Sequence, residues 1–389
     1  MPFVHLHVHS HLSLLDSTIR IKPLVQAVKR MGMTACALTD HGNLFGAVQF
    51  LEAATAKPDK EKPDPYPDPI QPIFGVELNV LSGDDPAPSH LIVLARTHAG
   101  YRNLQALVSD SCTRRPAGAQ PAVPWADLAG RADGLIALSG CLGGEVPQAL
   151  LRGETAKARD AAERLARTFG PEGFWLEMQS NGLAEQDRVN EALLDLARVT
   201  GIPPVATANA HYLAREDAAA HAVLVAIEMR RNLTAEQIRN LPLTGFHLAS
   251  PDEMAAAFAH VPEALDNTAR IAGLIDGITL HTDRKTHHFP VFAPPDGSST
   301  GDYLRALSHR RLDQRLERAR AEGRDVDEAA YRARLDLELD VIVKLGFDAY
   351  YLIVWDFINW ARENEVPVGP GRGSGAGSLV AFAIGITDI

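Results

Sequence analysis

The chain has 389 residues, a formal net charge of −11, and 46% hydrophobic and 22% charged residues. These proportions fit a globular protein of two or three domains and exclude a fibrous or low-complexity chain. No apolar run is long enough for a membrane span, Met1–His5 has no basic signal-like start, and three scattered cysteines (Cys36, Cys112, Cys141) argue against a disulfide framework and for a cytoplasmic, reducing setting.

In chain order, Phe3–His7 reads as a strand, Ile21–Met31 as a helix, Ala35–Thr39 as a strand and Leu44–Ala56 as a helix. Lys57 to Pro69 is a Pro- and charge-rich loop that cannot build a core. Strands follow at Ile73–Leu78 and His90–Ala95, a helix at Tyr101–Ser111, and strands at Leu135–Ser139, Phe174–Met178 and Pro204–Thr207, with helices over 154–168 and 185–200. Short buried strands alternating with helices predict a parallel sheet, and about seven such units suit a closed β/α barrel with its functional residues at the C-terminal strand ends. Phe289 to Thr300 reads as a linker, Asp302–Leu345 as charged helix, and Tyr350–Ile358 as an apolar, packed segment.

Candidate metal ligands recur at these strand ends: His7 and His9, Asp16, His41, Glu77, His90, Cys141, Asn209 and His211. On an extended segment His7 and His9 point to one face, because side chains alternate with period two. Imidazoles joined by carboxylates and one thiolate suit Zn²⁺, Mn²⁺ or Fe²⁺. Nine donors exceed one tetrahedral site, so two or three ions are expected, with Glu77 as the bridging carboxylate. Such a cluster suits phosphoester hydrolysis. His5, His11, His98, His221, His247, His260, His281, His287, His288 and His309 read as structural or solvated; the neighbours His287 and His288 point apart on an extended chain.

Near the end, Gly369-Pro-Gly371-Arg372-Gly373-Ser374-Gly-Ala-Gly377-Ser378 precedes an apolar helix, Ser378–Ile384. Closely spaced glycines let backbone N–H groups approach an anion, and Arg372 is a bidentate phosphate donor. The motif predicts a phosphate cradle. It is not a P-loop, since no Gly-Lys-Ser/Thr follows.

The segments His7-Val-His9-Ser10, Thr39-Asp40-His41, Gly75-Val-Glu77, Ser89-His90-Leu91, Ser139-Gly-Cys141 and Thr207-Ala-Asn209-Ala-His211 resemble, in order, the PHP (polymerase and histidinol phosphatase) family. That resemblance implies a distorted seven-unit β/α barrel with a trinuclear site held by His7, His9, Asp16, His41, Glu77, His90, Cys141 and His211. The family has Asp where this chain has Asn209, whose amide oxygen can coordinate but brings no charge. Asp40 is expected to orient a ligand from behind.

Val366 to Val380, with Leu345-Gly-Phe347, Tyr350-Tyr-Leu-Ile-Val354 and Asp40-His-Gly-Asn-Leu-Phe-Gly46, is similar to the bacterial replicative C-family DNA polymerases. The loop looks replicative, whereas Asn209 is a substitution associated more with the error-prone paralogue. The resemblance implies a PHP domain over 1–280, a linker over 281–300 and the N-terminal part of a polymerase palm over 301–389. Gly371, Arg372, Gly373 and Ser374 would meet the triphosphate of an incoming dNTP. It also implies DNA, a proofreading exonuclease and a sliding clamp as partners, no membrane, and Mg²⁺ in the complete polymerase site. The polymerising Asp-x-Asp lies further on in the family, so this stretch alone is expected not to extend a primer, while 3′–5′ exonuclease or phosphoesterase activity resides in the barrel. The competing expectations are a catalytically weak barrel that docks a separate exonuclease, and the error-prone paralogue.

Overall fold

The computed structural model describes residues 3–56, 66, 68–82, 87–116, 118–230, 233–280, 290–371 and 373–388. Most of the Pro- and charge-rich loop, the histidines His281, His287 and His288, the first part of the expected linker, and Arg372 lie outside the described residues. The chain divides into two compact units, Met1–Thr282 and Asp283–Ile389. No described helix is long and apolar enough to cross a membrane.

The first unit holds strands β1 (Ala35–Leu38), β2 (Gln71–Leu81), β3 (Ser89–Ala95), β4 (Val123–Pro124), β5 (Leu135–Leu138), β6 (Phe174–Gln179) and β7 (Pro204–Thr207). They follow the order β1-β2-β3-β5-β6-β7, with β4 beside the end of β2. The N-terminal segment is not the regular strand the sequence suggested. It is bridged to Cys36 of β1 through His5, and through Val8 to Ala210 beyond β7. The Ala37 N–H donates to His5 O at 2.8 Å and the His9 N–H to Ala210 O at 2.9 Å. The segment thereby laces the two edges of the curled sheet into the distorted seven-stave barrel expected from the alternation.

The sheet is mixed, not parallel throughout. β3 runs antiparallel to both β2 and β5. The reason is local: the link from Ser82 to Pro88 between β2 and β3 is only seven residues long, whereas a parallel crossover needs a dozen or more. Reversing β3 has a consequence for position. Its first residues, not its last, lie at the mouth where the parallel strands end.

The barrel interior is layered. Val4, Leu6, Ala37, Ile73, Ile92, Leu94, Ile136, Leu138, Trp175 and Val205 form an apolar inner cluster, joined by Ile271 and Ile275 at the end of the helix Pro262–Leu274. Continuing each strand by steps of two toward the mouth gives Glu77 and Asn79 on β2, His90 on β3, Glu177 and Gln179 on β6, and Thr207 on β7, all buried or half-buried. Alternate residues such as Cys36, Phe74, Val76, Leu78 and Leu176 face outward, into the core shared with the helices. Val8 also packs outward although Val4 and Leu6 pack inward. The phase therefore shifts in the irregular stretch between them and turns His7 and His9 inward.

The second unit is helical: Thr300–Ala321, Glu328–Lys344, Asp348–Glu363 and Leu379–Ile384 surround a core of Leu304, Leu307, Leu312, Leu316, Leu335, Leu339, Ile342, Leu352, Val380, Ala383 and Ile384. The charged stretch expected as one helix is two, interrupted at 322–327. The apolar stretch Tyr350–Ile358 is a helix that buries only Leu352; Phe357 and Trp360 are 56% and 60% exposed. Apolar residues run around this helix instead of forming one stripe, so a single neighbouring layer covers one line of them.

Candidate metal centre and glycine loop

His7 and His9 are fully buried, with their Nε2 atoms 3.0 Å apart. Behind His7, Nδ1 lies 2.7 Å from Glu177 Oε1. The same oxygen accepts from the Thr207 hydroxyl at 2.5 Å and the Gln179 amide at 2.9 Å. An Nδ1–H donated to this carboxylate leaves the Nε2 lone pair facing the mouth. His9 Nδ1 is 3.1 Å from the Ser13 hydroxyl and 3.3 Å from Asp16 Oδ2.

Glu77, 3% exposed, sits at the centre. Its Oε1 is 2.9 Å from His90 Nδ1 and 3.9 Å from His7 Nε2; its Oε2 is 2.9 Å from His41 Nδ1 and 3.6 Å from His9 Nε2. Each carboxylate oxygen thus faces two imidazoles. Cys141 Sγ stands 3.5 Å from His90 Nδ1 and 3.8 Å from Glu77 Oε1, and accepts from the Gly143 N–H at 3.4 Å. A Cβ on Gly143 would stand 3.0 Å from His90 Nδ1, so a side chain there would press the ring out of place by a few tenths of an ångström.

On the other side, Asp16 faces His9 and His211, whose rings stack 4.3 Å apart. Asp16 is returned to the mouth by Leu14 and Leu15, both in the left-handed region at φ 48° and 49°. Non-glycine residues there cost about 1–3 kcal/mol each, and such strain collects at functional sites. The Asp16 carbonyl lies 2.9 Å from both His211 Nδ1 and His221 Nε2. Asn209, also left-handed at φ 45°, sets its Oδ1 3.0 Å from His211 Nε2.

Three donor groups overlap: His7, His9 and Glu77; His9, Asp16 and His211; His41, Glu77 and His90, each within 4.8 Å. Cys141 and Asn209 stand beside them through His90 and His211. Among the described residues Asp40 hydrogen-bonds to no imidazole. It accepts from the Ser10 N–H, the Ser10 hydroxyl and the Ser13 hydroxyl, and so acts on His9 through Ser13.

The electrostatics favour cations. Burial alone would raise the Glu77 carboxyl, yet His90, His41 and His9 hold it well below the usual carboxylate range. Asp16 is likewise lowered, by His211 and His9 against its desolvation. Burial opposes protonation of His41, His90 and His211, but the facing carboxylates raise all three. His9 moves the other way, lowered by burial and by His211. Burial and Glu77 push the Cys141 thiol well up. Bound ions would take the place of the protons that the carboxylates draw toward these imidazoles. With imidazole, carboxylate and thiolate donors converging, the residues fit a divalent-metal cluster.

Sequence reasoning missed Glu177, Ser13 and Asn79, whose Nδ2 is 2.9 Å from His41 Nε2; His221, read as structural, meets the Asp16 backbone carbonyl. A usable signal existed for Glu177 and Asn79: each keeps the parity of an inward-facing apolar residue on its own strand, Trp175 and Ile73.

In the second unit, Gly373–Gly377 forms a 3₁₀ turn and Ser378 caps the helix Leu379–Ile384 by accepting from the Ala381 N–H. Glu338 Oε2 accepts from the Ser378 hydroxyl at 3.0 Å and the Val380 N–H at 3.2 Å. The helix start expected to face a phosphate therefore holds the chain's own carboxylate. Gly371 is exposed, at φ 128°, against Thr387.

The first unit is a barrel with a histidine-lined mouth, and the family model described as "PHP domain" matches its residues 5–181. The model described as "Bacterial DNA polymerase III alpha NTPase domain" matches residues 302–389. Over 100% of its length the chain is 40% identical to the DNA polymerase III subunit alpha of Treponema pallidum, 36% to that of Borreliella burgdorferi and 38% to that of Pseudomonas aeruginosa. It covers 32%, 33% and 32% of those proteins. The chain belongs to the bacterial DNA polymerase III alpha subunit family and spans about a third of the length of the curated relatives it matches.

Proposed function

We propose that this chain is the N-terminal part of a cytoplasmic replicative DNA polymerase alpha subunit whose barrel carries a metal-dependent phosphodiesterase site acting on 3′ ends. The observation that supports this best is Glu77, buried, with each oxygen shared between two imidazoles. His7, His9, Asp16, His41, Glu77, His90, Cys141, Asn209 and His211 would hold two or three ions, with Glu77 bridging and Zn²⁺, Mn²⁺ or Fe²⁺ as the candidates. Bound there, such ions supply Lewis acidity and charge against a phosphodiester. The chain's own residues do the rest. Glu177 fixes the ring of His7, Ser13 and Asp40 hold His9, Asn79 steadies His41, and the strained Leu14–Leu15 turn keeps Asp16 at the mouth.

In the whole polymerase, Gly371, Arg372, Gly373 and Ser374 would meet the dNTP triphosphate, with Mg²⁺ at carboxylates beyond this chain. DNA, a proofreading exonuclease and a sliding clamp would be its partners, and the domain boundaries are proposed at 280 and 300. The relatives' shared description favours this over the error-prone paralogue. Elemental analysis together with a single-stranded DNA degradation assay in Mn²⁺ tests the reading. Two or three bound ions with 3′-end shortening are expected; metal-free protein, or bound metal with no cleavage of any phosphodiester, would overturn it.

A further inference from the structure

The rim of the mouth carries large apolar side chains in the open, on the loops that hold two of the candidate ligands. Leu14, Leu15 and Phe45 are 63%, 46% and 68% exposed, although large apolar side chains are seldom left out together without a binding role. They come from two loops that also carry Asp16 and His41. The loops are pinned to each other: Asn43 Nδ2 donates to Leu12 O at 2.9 Å and the His41 N–H to the Ser13 hydroxyl at 3.0 Å. The rim residues are therefore held in place.

The same first loop runs into a groove of about 680 Å³ between the helices Ile21–Arg30 and Ala47–Thr55. His11, Arg20, Lys22, Gln26 and Gln49 line it. Arg20 and Lys22 are exposed, and among the described residues neither forms an ion pair. Lys29 and Glu52, also in the groove, are engaged with neighbours. Arg20 and Lys22 sit at the start of the helix Ile21–Arg30, whose first turn holds no acid. Cations at that end oppose the helix dipole, so local stability does not account for them. On a chain of net charge −11 they form a local basic patch.

Resting on the phosphodiesterase reading, we propose that this groove and rim form a path for single-stranded nucleic acid. Phosphates track Arg20 and Lys22, and bases near the 3′ end lie on Phe45, Leu14 and Leu15 as the strand enters the metal mouth. An unpaired strand is required, because only unstacked bases offer their faces to side chains, and such sites combine a basic groove with apolar or aromatic platforms.

The test is fluorescence anisotropy of a 5′-labelled twelve-nucleotide oligo-dT on the full chain, across a salt series, beside a strand of equal length whose last three sugars are abasic. Base–aromatic stacking makes Phe45→Ala weaken oligo-dT about 5- to 100-fold and the abasic strand little. Arg20→Ser with Lys22→Ser should weaken both strands alike and flatten the log–log salt slope by about 1.4, two phosphates' worth for single strands. Metal content by elemental analysis should be unchanged in every variant. Equal affinity for the two strands in the parent, or no response to Phe45→Ala and to the double variant, overturns the path and leaves the rim to a protein partner. Hydrolysis of bis(4-nitrophenyl) phosphate by the parent chain is read separately. Cleavage without these binding effects sinks only the path, and the binding effects without cleavage sink only the phosphodiesterase.

Discussion

The two ends of the barrel interior are built from the same strands and differ by a step of two or four residues. At the closed end β2 contributes Ile73 and β6 Trp175; at the mouth the same faces carry Glu77 and Glu177. One layer is held by apolar burial and asks nothing of its neighbours but volume. In the other, each buried polar atom depends on a specific partner, and in a low-dielectric interior a missing partner is costly. Stability and chemistry are thus separated along each stave, not between staves. A substitution's layer, more than its strand, should decide what it damages.

The largest effect should come from the apolar layer. Trp175 is fully buried, donates from Nε1 to Glu172 O at 2.9 Å, and lies under the Arg270 guanidinium. Trp175→Ala should cost about 3–5 kcal/mol in denaturant unfolding. Metal stoichiometry of the protein that remains folded should not change. Loss of metal before loss of structure would break the separation of the two layers.

Two residues further along β6 the outcome should invert. Glu177→Gln keeps the volume but removes the charge behind His7 and sets an amide among the Thr207 and Gln179 donors. Metal affinity, measured against a chromophoric chelator, should fall about 10–100-fold, the usual cost of losing a partner behind a ligand. The unfolding midpoint without metal should move far less than in Trp175→Ala. A variant that binds metal normally would show that Glu177 only fills space.

Asn209→Asp should act in the opposite direction and more weakly. The new carboxylate would occupy a left-handed position that Asp tolerates and would stand beside His211 and opposite Asp16. With ions bound it adds a negative charge to a cationic cluster, so one ion should bind about tenfold tighter. Without ions it adds a further charge to a site already holding Asp16 and Glu77. The melting temperature should therefore fall in chelator and rise in metal, as linkage requires. Equal melting temperatures in both conditions would place Asn209 outside the cluster's field.

How much of this was legible beforehand follows from what each signal encodes. Alternation of apolar runs with helices was enough for the barrel, and the two-residue spacing of His7 and His9 implied that their rings share a face. The reversal of β3 was written in the short stretch between Leu78 and His90, a signal of chain length that side-chain pattern does not carry. Glu177 and Asn79 were not seen because a polar residue near a strand end looks solvated when read alone. Only the inward parity of Trp175 and Ile73 marks them as buried. Ser13 and Asp40 act across loops 27 residues apart in sequence, and no local pattern encodes that meeting.

The smallest expected effect lies outside both layers. Glu253 closes a capping box at the helix Pro251–Ala257, accepting from the Ser250 N–H at 2.8 Å and meeting Arg215 at 2.7 Å and His247 at 3.2 Å. The Ser250 N–H and Arg215 lower its carboxyl to about 2. The folded state then binds fewer protons than the unfolded chain below the ordinary glutamate range. Its stabilisation is fully present above about pH 4.5 and is lost as the pH falls toward 2. The side chain is 40% exposed, so solvent screening keeps the gain under about 1 kcal/mol. Glu253→Gln should lower stability by that amount at pH 7, and the gap between parent and variant should narrow steadily on titration from pH 5 toward pH 2, with metal content unaffected throughout. A gap constant across that range would assign the contribution to contacts that an amide loses whatever the charge, and would leave the ionisation without a role.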